Sequence, residues 1–252
     1  MSESRYLRFG LPLAACLILV LVWHYSVQIF HVPVYILPPP LSVLSALEDG
    51  LVSGMLWPHI FATGSAMILG YIAGCSVALA VAAAISESKL VRMALYPLVI
   101  GLQSVPKVAL APVLVVWFGF DLSSKVVLVA LLCFFPTFVN AVVGFESYNR
   151  NLADLYRTFG ASRLQILLKI KLPAALGQIF AGLEISVVLA LLGAVVAELV
   201  SSRRGLGYVI QSAGLDFNVA IMFACVVLLA IMGMLASQIV IWLRRALVFW
   251  ER

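Results

Sequence analysis

Long apolar runs dominate the chain, and short polar stretches separate them. A helix needs about 20 apolar residues to cross a bilayer. The runs at residues 9–30, 60–85, 93–118, 123–145, 174–200 and 219–248 reach that length. They predict an all-α integral membrane protein in which six transmembrane helices form a single domain over residues 1–252. Pro97, Pro106 and Pro112 fall inside the third run, so we expect that span to be broken.

The composition agrees with a lipid environment. The chain is 64% hydrophobic and only 11% charged, whereas soluble domains have about 25% charged residues. The net charge is +5, but the basic residues lie in short clusters between the apolar runs, without interleaved aromatic residues. We therefore interpret the charge as a topology signal and expect no nucleic-acid partner.

The distribution of the basic residues predicts which side of the membrane each loop faces. The loops of one side hold only Lys125, Arg203 and Arg204, and Lys107 falls inside the third run. The loops of the other side hold the remaining basic residues, which are Arg5, Arg8, Lys89, Arg92, Arg150, Arg157, Arg163, Lys169, Lys171, Arg244, Arg245 and Arg252. Because cytoplasmic loops are enriched in Lys and Arg, we expect both termini and the segment 151–173 to be cytoplasmic.

Two outer loops carry structural signals. Three prolines at positions 38–40 end the first run, and the spacing of Leu41, Leu44 and Leu47 then predicts a short amphipathic helix at the membrane surface. In the loop that follows the fifth run, Gly205 and Gly207 predict a tight turn.

The longest polar stretch, "NLADLYRTFGASRLQILLKIKLP", covers residues 151–173. Its pattern predicts a helix, an interruption at Gly160 and a second helix. We expect Asn151 and Ser162 to cap the two helices, and Pro173 to stand in the first turn of the next span. A basic amphipathic helix that lies on the membrane is the alternative interpretation.

This stretch resembles the cytoplasmic "EAA" loop of permease subunits in binding-protein-dependent ABC importers. The pattern of that loop is E-A-A-x(3)-G-x(9)-I-x-L-P, and its second half is matched at every fixed position from Gly160 to Pro173. Asp154, Leu155 and Tyr156 stand where the pattern has E-A-A, so the acid is kept. The resemblance implies a coupling helix in a groove of an ATPase subunit, formed by Asp154, Tyr156, Gly160, Ala161, Ser162, Ile170, Leu172 and Pro173.

Further stretches resemble the nitrate/sulfonate/taurine branch of these permeases, which includes transporters of thiamine precursors. Among them are "ILPPPLSVLSAL", "SVPKVALAPVLVVWFGF", "CFFPTFVNAVVGF" and "GAVVAELVSSRRGLGYVI", which occur in the same order and cover most of the chain after residue 36. The resemblance implies the transmembrane domain of a type I ABC importer in the cytoplasmic (inner) membrane. The implied solute is small and polar or anionic, of the sulfonate, nitrate or vitamin-precursor class.

The same resemblance implies several partners. They are a second copy of the permease, a dimer of ABC ATPase subunits that binds ATP and Mg, and a periplasmic or lipid-anchored solute-binding protein. Glu198, Arg203 and Arg204 lie near the predicted outer surface and are candidates for contact with the binding protein. Ordinary solvation at the interface is the alternative role for these three residues.

The sequence carries no recognisable catalytic or metal-binding pattern. No lysine follows a glycine, so a Walker A phosphate loop is missing, and the three histidines lack the H-E-x-x-H spacing. We therefore expect no catalytic residue, no metal site and no cofactor on this chain, which would be a transport subunit rather than an enzyme. ATP hydrolysis is expected on a separate chain.

Two charged residues, Lys107 and Glu184, fall inside the apolar runs. A charge at the bilayer centre costs at least about 2.5–3.5 kcal/mol, so each should face protein or water. Either Lys107 pairs with Glu184 or with carbonyls freed by the prolines, or one or both line the solute path. Gln103, Ser104 and Asn140 are further candidates for the path, with hydrogen bonds between helices as their alternative role.

Two other functions stay open from the residues alone. A proton-coupled secondary transporter predicts paired inverted halves and a titratable relay. An integral-membrane enzyme or assembly factor predicts a clustered catalytic set. Neither pattern is evident in the sequence.

Overall fold

The structure is a computed structural model that describes residues 3–251, without the side chains of residues 3–9, 12, 13, 89, 201 and 251. Four of the residues predicted to mark the cytoplasmic side, Arg5, Arg8, Lys89 and Arg252, therefore lie outside the described side chains. The described part consists of helices joined by loops and contains no strand.

The helices follow the apolar runs closely. They are α1 (Glu3–Ile29), α2 (Pro40–Val52), α3 (Trp57–Glu87), α4 (Lys89–Gln103), α5 (Ala111–Phe118), α6 (Leu122–Glu146), α7 (Arg150–Thr158), α8 (Arg163–Ile166), α9 (Leu172–Ser201), α10 (Leu206–Leu215) and α11 (Val219–Leu247). A 3-10 turn covers Lys107–Leu110, and a π-helical segment covers Leu167–Lys171.

Four helices of the described part are long and apolar enough to cross a bilayer. They are α3, α6, α11 and the continuous helix Arg163–Val200, which includes most of α9. The bent pair of α4 and the segment Lys107–Phe118 makes a fifth if it counts as one span, and α1 adds the apolar stretch Ala14–Ile29. The all-α membrane fold is confirmed, and the number of six spans is compatible with it but stays a prediction.

The third predicted span is broken, as its prolines indicated. α4 continues through Pro97 and ends at Gln103, and the two halves meet at 86°. Pro106 lies in the break, and Pro112 stands in the first turn of α5. A proline has no amide hydrogen and disfavours helical geometry in the residue before it, which explains a break at Pro106.

The centre of the molecule is a three-helix core of α3, α6 and α9. Glycines let their backbones approach closely: a Cβ on Gly74 of α3 would lie 2.4 Å from the carbonyl oxygen of Ala130 in α6, and a Cβ on Gly182 of α9 would lie 3.0 Å from that of Pro136. Such small-residue contacts stabilise helix pairs in membranes, where van der Waals packing drives association. The core is therefore a closely packed unit that fixes α9 against α3 and α6.

Helices α1 and α2 lie outside this core. Most of the described side chains of α1 are exposed, although Trp23 packs against Phe223 of α11 at 5.6 Å between ring centroids. A helix is present as α2 where an outer amphipathic helix was predicted, and it exposes Leu41 and Leu44. Its other side packs against a cluster that contains Leu56 and Leu206, so α2 is held by protein, and its place at the outer membrane surface stays a prediction.

Candidate functional site

The polar stretch folds into a helical hairpin of residues 149–170, which we call the 149–170 hairpin. Its first helix, α7, is capped by Asn149, whose Oδ1 accepts from the amides of Asn151 at 3.0 Å and Leu152 at 3.3 Å. The prediction that Asn151 is the cap was wrong by two residues. Asn151 lies inside the first turn of the helix, where its own amide needs an acceptor.

The turn of the hairpin depends on Gly160, which has a φ of +80°. The amide of Gly160 donates to the carbonyl of Arg157 at 2.9 Å, and the amide of Ala161 donates to that of Tyr156 at 3.0 Å. This pair of bonds is a Schellman motif, which needs a left-handed residue at the position of Gly160. Ser162 then starts α8 in a capping box with Gln165, as the sequence predicted for the cap.

The second helix of the hairpin runs without interruption into the core. α8, the π-helical segment and α9 form one helix over Arg163–Val200, 38 residues long, or about 57 Å at 1.5 Å per residue. Pro173 stands in the first turn of α9, as predicted, although α9 continues the helix that begins at Arg163. The π turns before it explain why the helix is not interrupted, because a wider turn accommodates a proline that would otherwise clash with the preceding turn.

The hairpin has its own small core and an exposed apolar face. Ala153, Ile166 and Ile170 are buried together, with Tyr148 and Ala161 packed against them. On the outer surface Phe159 is 84% exposed and Leu155 is also exposed. Among the predicted coupling residues, Gly160, Ala161 and Ser162 form the turn, Ile170 is in the small core, and Asp154 and Tyr156 are exposed.

Lys171, which sequence reasoning missed, fixes the hairpin to the core. Only 5% of the residue is exposed. Its Nζ lies 2.5 Å from Oε1 of Glu87, donates to the carbonyl of Ser86 at 3.2 Å, and lies 5.2 Å from the ring centroid of Tyr148. The sequence held one signal of a buried role: Lys171 is a charged residue between two apolar positions of the motif, Ile170 and Leu172.

The charges inside the predicted spans do not meet. Lys107 lies in the 3-10 turn at the break, where its Nζ donates to the carbonyl of Gln103 at 2.8 Å and lies 4.2 Å from the ring centroid of Phe135. Glu184 instead pairs with Arg244 of α11, at 3.2 Å between Oε1 and Nη1. Of the two pairings considered for Lys107, the structure therefore has the one with a backbone carbonyl near a proline.

The other path candidates also have local roles. Gln103 and Ser104 are exposed at the end of α4, next to Lys107, so three of the five candidates surround the break. Asn140 is half-buried in α6 and donates to the carbonyl of Pro136 in its own helix at 2.8 Å. That carbonyl lies next to Gly182, so Asn140 belongs to the packed interface with α9.

Glu198 was predicted to lie near the outer surface and contact a partner, but its side chain is fully buried. Its carboxylate accepts from Thr63 Oγ1 at 2.9 and 3.0 Å and from the amide of Gly207 at 2.9 Å. Thr63 in turn accepts from the amide of Leu206 at 2.9 Å. The correction has a clear cause: the carboxylate satisfies donors at the start of α10 and is not free for an outside contact.

We call this arrangement of Thr63, Glu198 and the amides of Leu206 and Gly207 the outer staple. It explains why two glycines occur here: a Cβ on Gly205, where φ is +130°, would lie 2.1 Å from the Glu198 carboxyl carbon, and a Cβ on Gly207 would lie 2.8 Å from the carbonyl oxygen of Val195. The connection between α9 and α10 is residues 202–205, and Gly207 lies in the first turn of α10. Sequence reasoning missed Thr63 because it lies 135 residues from Glu198.

A cavity of about 890 Å³ lies beside the outer staple. Arg203 and Arg204 line it and are exposed, and Lys125, Asp121 and Gln211 complete its polar wall. Lys125 is buried and donates to Ser202 Oγ at 2.6 Å and to the carbonyl of Arg204 at 3.0 Å. Among the described side chains neither arginine has an ion-pair partner, so the cavity has a basic rim.

The comparisons with known proteins agree with this geometry. The family model for the binding-protein-dependent transport system inner membrane component matches residues 70–251. A riboflavin transport system permease protein of Chloroflexus aurantiacus is 36% identical over 96% of this chain and 90% of its own length. A formylaminopyrimidine transport permease protein of Halalkalibacterium halodurans is 31% identical over 96% of both chains. A taurine transport system permease protein of Escherichia coli is 31% identical over 99% of this chain and 95% of its own.

One solved structure supports the fold. A chain of the MetNI methionine ABC transporter in an inward facing conformation superposes with a TM-score of 0.67 and 20% identity, over 77% of this chain and 98% of that one. The family model covers most of the chain and the relatives align along nearly all of it. The chain therefore belongs to the inner membrane component family of binding-protein-dependent transport systems, as an ABC importer permease of the nitrate/sulfonate/taurine branch.

Proposed function

We propose that two copies of this chain form the membrane path of an ATP-driven importer for a small polar or anionic solute. An ABC ATPase dimer would grip the 149–170 hairpin of each copy on the cytoplasmic side, and a periplasmic or lipid-anchored solute-binding protein would deliver the solute outside. Both chain termini would then be cytoplasmic. ATP and Mg would bind on the ATPase subunits, and no cofactor on this chain.

Family membership already fixes the coarser part of this proposal. The chain is a multi-pass transport subunit of the inner membrane, and ATP hydrolysis belongs to a separate chain. A secondary transporter and a membrane enzyme are not favoured, because the relatives are permease subunits of ABC systems. The relatives transport riboflavin, formylaminopyrimidine and taurine, which supports a heterocyclic vitamin precursor or a sulfonate as the solute.

The observation that carries the proposal is the exposed apolar face of the 149–170 hairpin. Phe159 and Leu155 are exposed at α7, beside the exposed ion pair of Asp154 and Arg157 at 2.6 Å. Exposed apolar patches with a polar rim mark interaction surfaces. A partner that binds this face would pull directly on the helix Arg163–Val200, which reaches the outer loop.

The path is proposed to run along the break between α4 and α5. Discontinuous helices in transporters present unpaired backbone groups to solutes, and Gln103, Ser104 and Lys107 cluster there. Outside, the exposed Arg203 and Arg204 on the cavity rim would contact acidic residues of the binding protein. Glu198 would serve this contact indirectly, because it holds their loop in place.

Reconstitution tests the proposal. The permease is co-expressed with a candidate ABC ATPase and a candidate solute-binding protein from the same genome, and uptake of labelled riboflavin, taurine and formylaminopyrimidine into vesicles is measured with and without ATP. Phe159→Ser should reduce the ATPase that co-purifies and any ATP-dependent uptake, while Phe249→Ser, at a residue 66% exposed outside the hairpin, should not. Full ATPase binding with Phe159→Ser, or uptake of these solutes that needs no ATP, would count against the proposal.

A further inference from the structure

The joint between the 149–170 hairpin and α9 is the irregular part of the long helix. Residues Leu167–Lys171 are π-helical, a rare geometry that interrupts the regular α-helical hydrogen bonds. Pro173 follows after Leu172 and removes one more amide hydrogen from the helix. A force applied to the hairpin would therefore bend the helix here before it moved the core, unless another contact stiffens the joint.

Lys171 provides such a contact, because it lies at the end of the π-helical segment and is nearly fully buried. Its ammonium group joins two further parts of the chain: Ser86 and Glu87 at the end of α3, and Tyr148 between α6 and α7. A buried ammonium that loses its partners is strongly unfavourable, so the group holds these elements together. Two of its three contacts are therefore with α3, and the third is with the loop between α6 and α7.

We propose that Lys171 is a positioning residue for transport: it clamps the joint to α3, so that α3 follows the hairpin when the ATPase moves it. The inference rests on the proposed function of the hairpin. Its physical basis is that close glycine contacts already pack α3 against α6 at Gly74 and α9 against α6 at Gly182, so a contact that holds the joint to α3 ties the hairpin to this packed core. With the clamp, hairpin and core move as one body, which is an ordinary route for conformational change.

A second ion pair on the same side of the molecule serves as the control. Arg92 of α4 and Glu146 of α6 lie 2.5 Å apart, but their side chains are 48% and 45% exposed, and both residues lie outside the hairpin. Loss of this pair removes one positive charge and one ion pair, as Lys171→Met does, but it does not touch the joint. Arg92→Met is therefore matched to Lys171→Met.

The experiment uses the whole complex of permease and ATPase in lipid nanodiscs. A spin label replaces Met55, which is exposed just before α3, in a Cys16→Ser background, because Cys16 is the exposed cysteine of the described part. The distance between the labels of the two copies is measured without nucleotide and after trapping with ATP, Mg and vanadate. ATP hydrolysis and the amount of bound ATPase are measured on the same samples.

The wild type should show a distance shift on trapping, and Arg92→Met should retain it. Lys171→Met should lose most of the distance shift while ATPase binding and hydrolysis persist. Lys171→Arg should retain the shift, and the charge-reversed double variant Lys171→Glu with Glu87→Lys should recover part of it. A merely structural role would instead lower assembly, hydrolysis and the shift together. If Lys171→Met does not assemble with the ATPase, Glu87→Gln takes its place as the test variant, and we expect it to reduce the distance shift.

Several results would overturn the proposal. A full distance shift with Lys171→Met, or with Glu87→Gln where that variant takes its place, would overturn it. An active wild-type complex in which the labels before α3 do not move would overturn it too. If the test variant loses ATPase assembly and hydrolysis in proportion to the distance shift, Lys171 has a structural role only and the proposal is overturned. A wild type that binds no ATPase would contradict the proposed function itself, which keeps the two failures distinguishable.

Discussion

The outer staple gives a prediction whose size follows from its contacts. Glu198→Ala removes the acceptor of Thr63 Oγ1 and of the Gly207 amide, both inside a site where the carboxylate has no exposed surface. Hydrogen bonds to a charged group contribute about 1.5–3 kcal/mol each, and Glu198→Ala removes the acceptor of two neutral donors. We expect the loop before α10 to open more easily by about 3–6 kcal/mol.

Trypsin measures this opening, because the loop contains Arg203 and Arg204. Cleavage of a transiently opened segment follows its open population, and each 1.4 kcal/mol is about tenfold. Glu198→Ala should therefore raise the cleavage rate after these two arginines by about a hundredfold or more. The rate is read by mass spectrometry of the fragments from detergent-solubilised protein.

Two further variants decide whether the reasoning is right. Glu198→Gln keeps an acceptor for Gly207 and should be intermediate, since it loses only the charge. Glu146→Ala removes an exposed ion pair worth about 0–1 kcal/mol and should leave the outer loop as in the wild type. If Glu198→Ala and the wild type were cleaved at equal rates, the staple would not hold the loop.

Three other changes have defined expectations. Gly160→Ala places a side chain at φ +80° with no atom within 4 Å of its Cβ, so it should destabilise the hairpin by about 1–2 kcal/mol through backbone strain alone. The variant should co-purify with less ATPase, and Gly160→Asn should lose less of it. Equal ATPase binding by both variants and the wild type would refute this reasoning. The added methyl of Gly74→Ala would lie 2.4 Å from the Ala130 carbonyl oxygen, whereas that of Gly64→Ala would meet only the flexible end of Met232 at 3.7 Å. The midpoint temperature of thermal unfolding should therefore fall for Gly74→Ala and hardly change for Gly64→Ala. Lys107→Met should lower uptake of the transported solute, and unchanged uptake with unchanged apparent affinity would remove Lys107 from the path.

Helix positions could be predicted from the sequence because lipid imposes a length and a polarity on every span. The same argument could not give the depth of Glu198 or the partner of Glu184. The sequence placed Glu198 near the outer surface because it stands near the end of the fifth apolar run. Its burial depends instead on α10, which folds back over it. The partner of Glu184 is 60 residues away, and nothing in the local pattern indicates α11 rather than the broken span.

The error in the hairpin was of a different kind, because it is a small shift along one helix. Asn149 and Asn151 have the same capping chemistry, and the choice between them follows from where α6 ends, at Glu146. Pro173 stands in the first turn of α9, as predicted, but nothing in the sequence indicated that a π-helical segment joins α9 to the hairpin. Local propensity was read correctly, and the neighbouring elements decided where the helices begin.

The hairpin also separates the two halves of the importer loop pattern physically. In the half that this chain matches, three of the four fixed positions have a structural reason: Gly160 has a positive φ, Ile170 is buried in the hairpin core, and Leu172 packs against the end of the three-helix core that adjoins the hairpin. In the half that departs, Asp154, Leu155 and Tyr156 are exposed and carry no such burden. The fold therefore does not depend on E-A-A at these positions, and the substitutions should alter how the hairpin fits its ATPase rather than whether the hairpin forms.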